Sequence, residues 1–367
     1  MTSQRIKFHH QPKEGFYSIL RKRVNNYFEE NNLSKGANTA MIVKTVFILT
    51  GFVLTYVLLL SNLFSPWILL LLAAAHGFFT ALIGLNIAHD AIHGAYSSNE
   101  KVNKFLGSLF NIVGANDNLW KFSHNVVHHT YTNIPDHDGD INQVPILRLN
   151  PNQKMWWIHR YQHFYAFLLY PLASISWVMI KDYVTFFKAK IGNHENNNRT
   201  TREFVRMMIF KIIYYITILV IPILVIELPW YYIIFGFIVL HLVEGLSLSV
   251  IFQLAHVVEN TAFPKPDENG RIGKSWAEHQ MYTTANFATN SPVVNFLFGG
   301  LNFQVEHHLF PQVCHIHYKQ IAPIVKETAE EAGLPYNDYP TLYSAIRSHV
   351  KTLKYFGTHK EIQDVRT

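Results

Sequence analysis

The chain has 367 residues, 49% of them hydrophobic and only 15% charged, with a formal net charge of +6. Soluble domains carry about 25% charged residues, so an ordinary water-soluble enzyme is a poor fit. The single cysteine, Cys314, excludes an intrachain disulfide framework, a cysteine-rich zinc finger and a conventional iron–sulfur centre, so any metal must be held mainly by nitrogen and oxygen.

Residues 1–40 are polar and basic and contain no apolar run of the kind a secretory signal needs. They are expected to form a cytoplasmic N-terminal segment with a short amphipathic helix near 15–31. Two apolar runs follow at 41–63 and 67–88, and a second pair lies at 205–226 and 231–254. Each reaches the roughly 20 residues that a bilayer crossing requires. The reading is an all-α integral membrane protein with four transmembrane helices in two hairpins. Neither hairpin tip, 62–66 or 227–230, contains Lys or Arg, whereas Arg21, Lys22, Arg23 and Lys35 precede the first run. By the positive-inside rule the termini and the long middle loop are cytoplasmic. A bacterial inner membrane and an endoplasmic reticulum satisfy this pattern equally. Topology and lipid headgroups explain the basic balance better than nucleic acid, for which no motif argues.

Segment 101–114 has helical periodicity but is too short to cross, so it is expected to lie along the surface. The aromatic stretch within 151–191 contains Pro171 and several charges, which favours an interfacial or re-entrant segment over a fifth crossing. The expected membrane domain is 41–320. A cytoplasmic helical tail follows at 321–367, and helices are predicted near 315–332 and 340–353.

The chemistry lies in the histidines. His89 and His93 stand in HDAIH just past the second apolar run, His124, His128 and His129 in HNVVHH, and His307 and His308 in QVEHH. On a helix, residues one turn apart share a face, so His124 and His128 can aim at one small volume with His129 beside them. One such pair is usually a solvated or core pair. Three clusters, each outside a hydrophobic span, point to one shared site, and His256 at the end of the fourth run joins them. Eight imidazoles exceed the four ligands of a tetrahedral zinc and imply two metal ions. Imidazole alone suits zinc, copper, iron and nickel. Two redox metals at the mouth of a hydrophobic bundle suggest oxygen chemistry on a lipid-like substrate. His76, His159, His163, His315 and His317 are read as packing, interfacial or surface residues.

HDAIH, HNVVHH and QVEHH resemble the three histidine boxes of the membrane fatty acid desaturase family, and their order, spacing and flanking spans match across about residues 40–320. The resemblance implies two iron ions that use O2, with electrons from an external donor, to remove two hydrogens from adjacent methylenes of an acyl chain. It carries ligand roles onto His89, His93, His124, His128, His129, His307 and His308. His256 stands where acyl-CoA desaturases supply a further ligand. Gln304 occupies the place of a first histidine in the third box. Together with the three-residue gap of the first box, this is similar to front-end desaturases, which act between an existing double bond and the carboxyl end. The substrate implied is an acyl-CoA or a membrane lipid. Front-end relatives often carry a cytochrome b5 domain with an HPGG haem motif, which is absent from this sequence. A separate ferredoxin, or a cytochrome b5 with its reductase, is therefore the expected donor.

Gln304, Asp90, Asn125, Asp138 and Glu306 are candidates to ligate metal or to orient imidazole N–H groups. Asp136, Asp138 and Asp140 lie in one loop with the same potential. His279 and Gln280, in WAEHQ, are expected to line the headgroup end of a substrate tunnel. His241 and Glu244 either border the substrate channel or hydrogen-bond to one another. Rival readings are a di-iron hydroxylase of alkyl or carotenoid substrates, a zinc hydrolase, and a membrane metal transporter. The transporter is disfavoured because its ligands belong at mid-membrane.

Overall fold

A computed structural model of the chain describes residues 6–10, 14–139, 141 and 145–360. Among the described residues four helices are each long and apolar enough to cross a membrane: Thr39–Leu60, Pro66–Ile92, Thr201–Val225 and Trp230–His256. Their starts follow local chemistry. The Asn38 side chain accepts from the Met41 amide, Pro66 occupies the first turn of the second span, and the Thr200 hydroxyl accepts from the Glu203 amide. Outward-facing positions are apolar, among them Val43, Phe47, Leu54, Ile212, Ile216 and Leu224, all exposed. A soluble protein would hide such surface, whereas a bilayer solvates it. At the tips Asn62 fastens one hairpin to the other. Its Nδ2 donates to the Val225 carbonyl at 2.8 Å and its Oδ1 accepts from the Glu227 amide at 2.9 Å.

Three of the spans extend beyond the apolar runs, two of them at ends that carry histidines. The second continues from 88 to Ile92 and the fourth from 254 to His256, while the third begins at Thr201 rather than 205. Hydropathy misses the turns at His89 and His256 because protein, not lipid, covers them, and the turn at 201–204 because it is polar and charged. The second and fourth spans touch backbone to backbone, and a Cβ on Gly77 would lie 2.1 Å from the Leu240 carbonyl oxygen.

Segment 151–191 folds as two arms, Trp157–Leu169 and Leu172–Phe187, that meet at 81°. Each arm is shorter than the roughly 20 residues of a crossing, and Pro171, which has no N–H to continue the first arm, stands at the break. The bend is wedged against the fourth span, where a Cβ on Gly245 would sit 2.1 Å from the Pro171 carbonyl oxygen. Segment 101–114 forms two short helices, Glu100–Gly107 and Leu109–Ile112, rather than one.

The remaining elements cap one end of the bundle. The amphipathic helix Phe16–Glu30 buries Phe16, Leu20, Val24 and Phe28, a strict four-residue stripe, against Tyr318–Glu331. Leu342–Thr358 is the last helix among the described residues. Among the described residues two short parallel pairs tie distant segments together, Lys7–Phe8 with Arg271–Ile272 and Asn286–Phe287 with Asp338–Tyr339, and Lys190–Ile191 with His194–Glu195 forms a local hairpin.

Candidate metal centre

His89 lies in the last turn of the second span and His93 just past it, while His256 ends the fourth span. His307 and His308 sit on the short helix Gln304–Leu309. His124, His128 and His129 are positioned by something hydropathy does not encode. Residues Phe122–His128 form a π-helical turn, closed by the His129 amide donating to the His124 carbonyl. In an α-helix, at about 100° per residue, His129 would stand about 140° away from His124. The wider turn, closing on the fifth residue, places the fourth and fifth residues on either side of the first, so all three rings face inward. A second π stretch, Ile83–Ala88, immediately precedes His89.

The eight rings converge in overlapping groups. One nitrogen each of His89, His93, His124 and His307 lies within 4.8 Å of the others, and the same holds for His128, His256 and His308 and for His129, His307 and His308. Seven of the eight side chains are buried and His93 is half-buried. The His124 Nε2 lies 3.2 Å from both His89 Nε2 and His129 Nε2. Ligands about 2.1 Å from a common ion are separated by about 3.0–3.4 Å in octahedral or tetrahedral geometry. His93 Nε2, His307 Nε2 and His308 Nε2 are buried with no hydrogen-bond partner among the described residues. Orphaned nitrogens this concentrated are costly unless something electrophilic lies between them. Burial, reinforced by the neighbouring rings, holds His124, His129, His307 and His308 well below the ordinary histidine range, so they remain neutral donors. Eight imidazoles in overlapping groups are more than one ion takes, and an all-nitrogen set of this size fits a pair of first-row transition metals.

Four rings are fixed from behind through Nδ1, which leaves Nε2 facing inward. His128 meets Asp138 Oδ2 at 3.1 Å, His307 the Tyr318 hydroxyl at 3.2 Å, His308 the Gln280 Oε1 at 2.8 Å and His256 the Thr283 carbonyl at 3.2 Å. Of these partners the sequence suggested only Asp138 for this role. Gln280 was expected along a substrate tunnel, yet it stands behind His308, and its Nε2 donates to the His129 carbonyl at 3.1 Å. Because such partners contribute about 10–100-fold to metal affinity, Gln280→Ala is expected to lower metal retention by about that factor. Metal analysis of the purified variant after dialysis checks this, with Gln280→Glu, which keeps an acceptor for His308, recovering part of the loss.

The other candidates fall elsewhere. Asp90 lies 3.8 Å from His89 Nδ1, and its Oδ2 pairs with His315 Nδ1 at 2.8 Å; His315 Nε2 in turn meets Lys44 Nζ at 2.9 Å. His315 and His317, read as surface or capping residues, are both buried, His315 as the centre of this ionic chain and His317 against the Gly36 carbonyl. Asn125 donates to the Ile92 carbonyl at 3.1 Å, tying the second box to the end of the first. Glu306 points away from the rings. Asn286 and Tyr336 donate to it at 2.7 and 2.8 Å, and burial pushes its carboxyl up to about 7. Gln304 is buried at the start of the helix that carries His307 and His308. His279 Nε2 meets the Thr132 carbonyl at 2.8 Å, and burial lowers its ring to about 4. His241 and Glu244 form a buried network within the spans. Ser174 bridges them, and Tyr214 holds the other His241 nitrogen at 2.9 Å. His76 bonds Thr55 at 2.9 Å and His159 the Pro145 carbonyl at 2.8 Å. Asp140 lies outside the described residues.

A family model described as fatty acid desaturase matches residues 65–340. The chain is 37% identical over 365 residues to the sn-1 linoleoyl-lipid 6-desaturase of Arthrospira platensis, which covers 100% of this chain and 99% of that protein. It is 38% identical over 362 residues to the sn-1 linoleoyl-lipid 6-desaturase of Synechocystis sp., covering 97% and 99%. It is 35% identical over 346 residues to the acyl-lipid (8-3)-desaturase of Physcomitrium patens, covering 94% of this chain and 72% of that one.

Proposed function

The chain belongs to the fatty acid desaturase family, and we propose that it inserts a double bond into the acyl chain of a membrane lipid, on the carboxyl side of an existing double bond. The observation that carries this reading is the convergence of His89, His93, His124, His128, His129, His256, His307 and His308 into overlapping groups of four, three and three nitrogens at one end of the bundle. These residues would hold two iron ions, and bound iron supplies the activation of O2 that no side chain provides alone. The relatives named for acyl-lipid or linoleoyl-lipid substrates support a lipid over an acyl-CoA.

The chain's own residues bind, orient and exclude water. Asp138, Tyr318, Gln280 and the Thr283 carbonyl hold four rings with Nε2 turned inward, so the cage is set before any ion enters. Trp120 stacks on the His124 ring at 4.2 Å, and Phe252 lies 5.5 Å from the His128 ring. These aromatics make an apolar wall beside the cage, against which methylenes can lie in the dry surroundings the chemistry needs. The basic N-terminal segment supports a cytoplasmic site. Electrons then come from a separate ferredoxin or cytochrome b5 with its reductase.

Expression in a host of defined lipid composition, followed by mass spectrometry of the extracted lipids, tests this. The expected product is two mass units lighter than its precursor, from loss of two hydrogens, with the new double bond between an existing one and the carboxyl group. A gain of oxygen would establish a hydroxylase instead.

A further inference from the structure

Residues 265–283 pack beside the cage through the helix Trp276–Thr283, and the inner and outer sides of the segment differ. The inner face consists of three side chains of the helix Trp276–Thr283: Trp276 Nε1 donates to the His129 carbonyl at 2.9 Å, His279 meets the Thr132 carbonyl, and Gln280 holds His308. The outer face is cationic. Lys7 and Arg271 are register partners in the parallel pair of strands, both exposed, while Phe8 and Ile272 beside them turn inward. Phe8 packs on the His279 ring with centroids 5.1 Å apart. Lys265 is exposed nearby, and Lys274, 4.5 Å over the Tyr282 ring, directly precedes the helix cap at Ser275. Among the described residues none of these four cations has a carboxylate within ion-pair distance. The Asp267 carboxylate is turned onto the amides of Asn269 and Arg271, leaving Glu268 as the other acid of the loop. Like charges directly across a strand pair repel, and an anionic partner relieves that repulsion.

Among the described residues the face also lacks what a membrane contact requires. No large apolar side chain between residues 247 and 292 is exposed, whereas Trp157, Phe105, Val293 and Phe296 are exposed on other parts of the cap. A surface helix that binds lipid buries apolar side chains beneath its charges. Charge without such anchors fits a soluble partner.

We infer that the surface formed by Lys7, Lys265, Arg271 and Lys274 is where an acidic one-electron carrier protein docks to reduce the metal cage. The inference rests on the desaturase reading. The overall step is R–CH2–CH2–R′ + O2 + 2 e− + 2 H+ giving R–CH=CH–R′ + 2 H2O, so two C–H bonds break and the carrier supplies two electrons singly. One layer of side chains, Phe8, His279 and Gln280, lies between this surface and His308.

The test uses the full-length enzyme in detergent or nanodiscs with reduced plant-type [2Fe–2S] ferredoxin, and compares wild type with a K7E/R271E/K274E variant. At low salt the variant is expected to lose at least about tenfold in the second-order rate of ferredoxin oxidation. The wild-type rate should fall steeply toward about 0.3 M NaCl. Metal content, melting temperature and the product formed in one turnover after anaerobic dithionite reduction and exposure to O2 should match wild type. Lysine-to-arginine variants at positions 7 and 274 should keep the ferredoxin rate. An unchanged ferredoxin rate in the charge-reversed variant would overturn the docking surface. So would a loss confined to binding of phosphatidylglycerol vesicles, which would make it a lipid contact. Wild type that forms no double bond with dithionite would overturn the desaturase reading itself.

Discussion

Replacing His128 with alanine is expected to abolish double-bond formation, to below about 1% of wild type, because deleting a ligand must cost more than the 10–100-fold lost with a partner behind one. His128 stands with His256 and His308 in one group, and Asp138 fixes its ring from behind. The variant leaves that carboxylate, fully buried, facing a cavity where its imidazole stood. Lipid profiling of the expressing host reads the activity, and metal analysis of the purified variant shows whether ion retention falls with it. His163→Ala is the control. That ring is half-buried and belongs to none of the converging groups, so its removal should leave the lipid profile within about the spread of ordinary surface substitutions. Full activity in His128→Ala would be incompatible with the cage.

Asp182→Ala should produce the largest loss of stability. The Asp182 Oδ2 accepts from Lys211 Nζ at 2.8 Å and from the Asn116 amide at 2.9 Å, while its Oδ1 accepts from Trp177 Nε1 at 2.9 Å. Lys211 also donates to the Gly114 and Val178 carbonyls. The pair thus joins the arm Leu172–Phe187, the third span and the loop leading to the second histidine box, with both side chains almost wholly buried. Removing one member strands the other charge, at a cost of about 3–5 kcal/mol. The detergent-solubilised variant should melt far below wild type or fail to accumulate. Asp182→Leu combined with Lys211→Met should recover much of that stability, since a buried pair replaced by apolar groups of similar size is often neutral. A double variant as unstable as the single one would assign the loss to the hydrogen bonds from Asn116 and Trp177 instead.

The spans were legible because lipid-facing helices must be continuously apolar, and their composition marks them within a few residues. Their far ends were not. The turns carrying His89 and His256 are covered by the cap, so hydropathy stops short of them. The clustering of the eight histidines was visible because ligands on helix ends recur at one-turn spacing. The π turn at Phe122–His128 was not visible, because an i→i+5 closure has no composition of its own, yet it lets His129 share a face with His124. Most outer partners were hidden as well. Tyr318, Gln280 and the Thr283 carbonyl reach their imidazoles from distant segments, and a backbone carbonyl has no residue identity to read. The opposite error befell His315. A histidine shortly after a proline suggests an exposed turn, but Lys44 and Asp90, far away in sequence, make it the centre of a buried ionic chain. His241 and Glu244 are hydrogen-bonded as one of their two readings expected, with Ser174 as a bridge that neither residue's spacing indicates.

Metal analysis of the freshly purified chain, quantified against protein by amino-acid analysis, bears most directly on the cage. The account predicts about two irons per chain, both lost in a variant with His124 and His308 replaced together while the four spans remain folded. One zinc per chain, with activity that persists without O2, would contradict it.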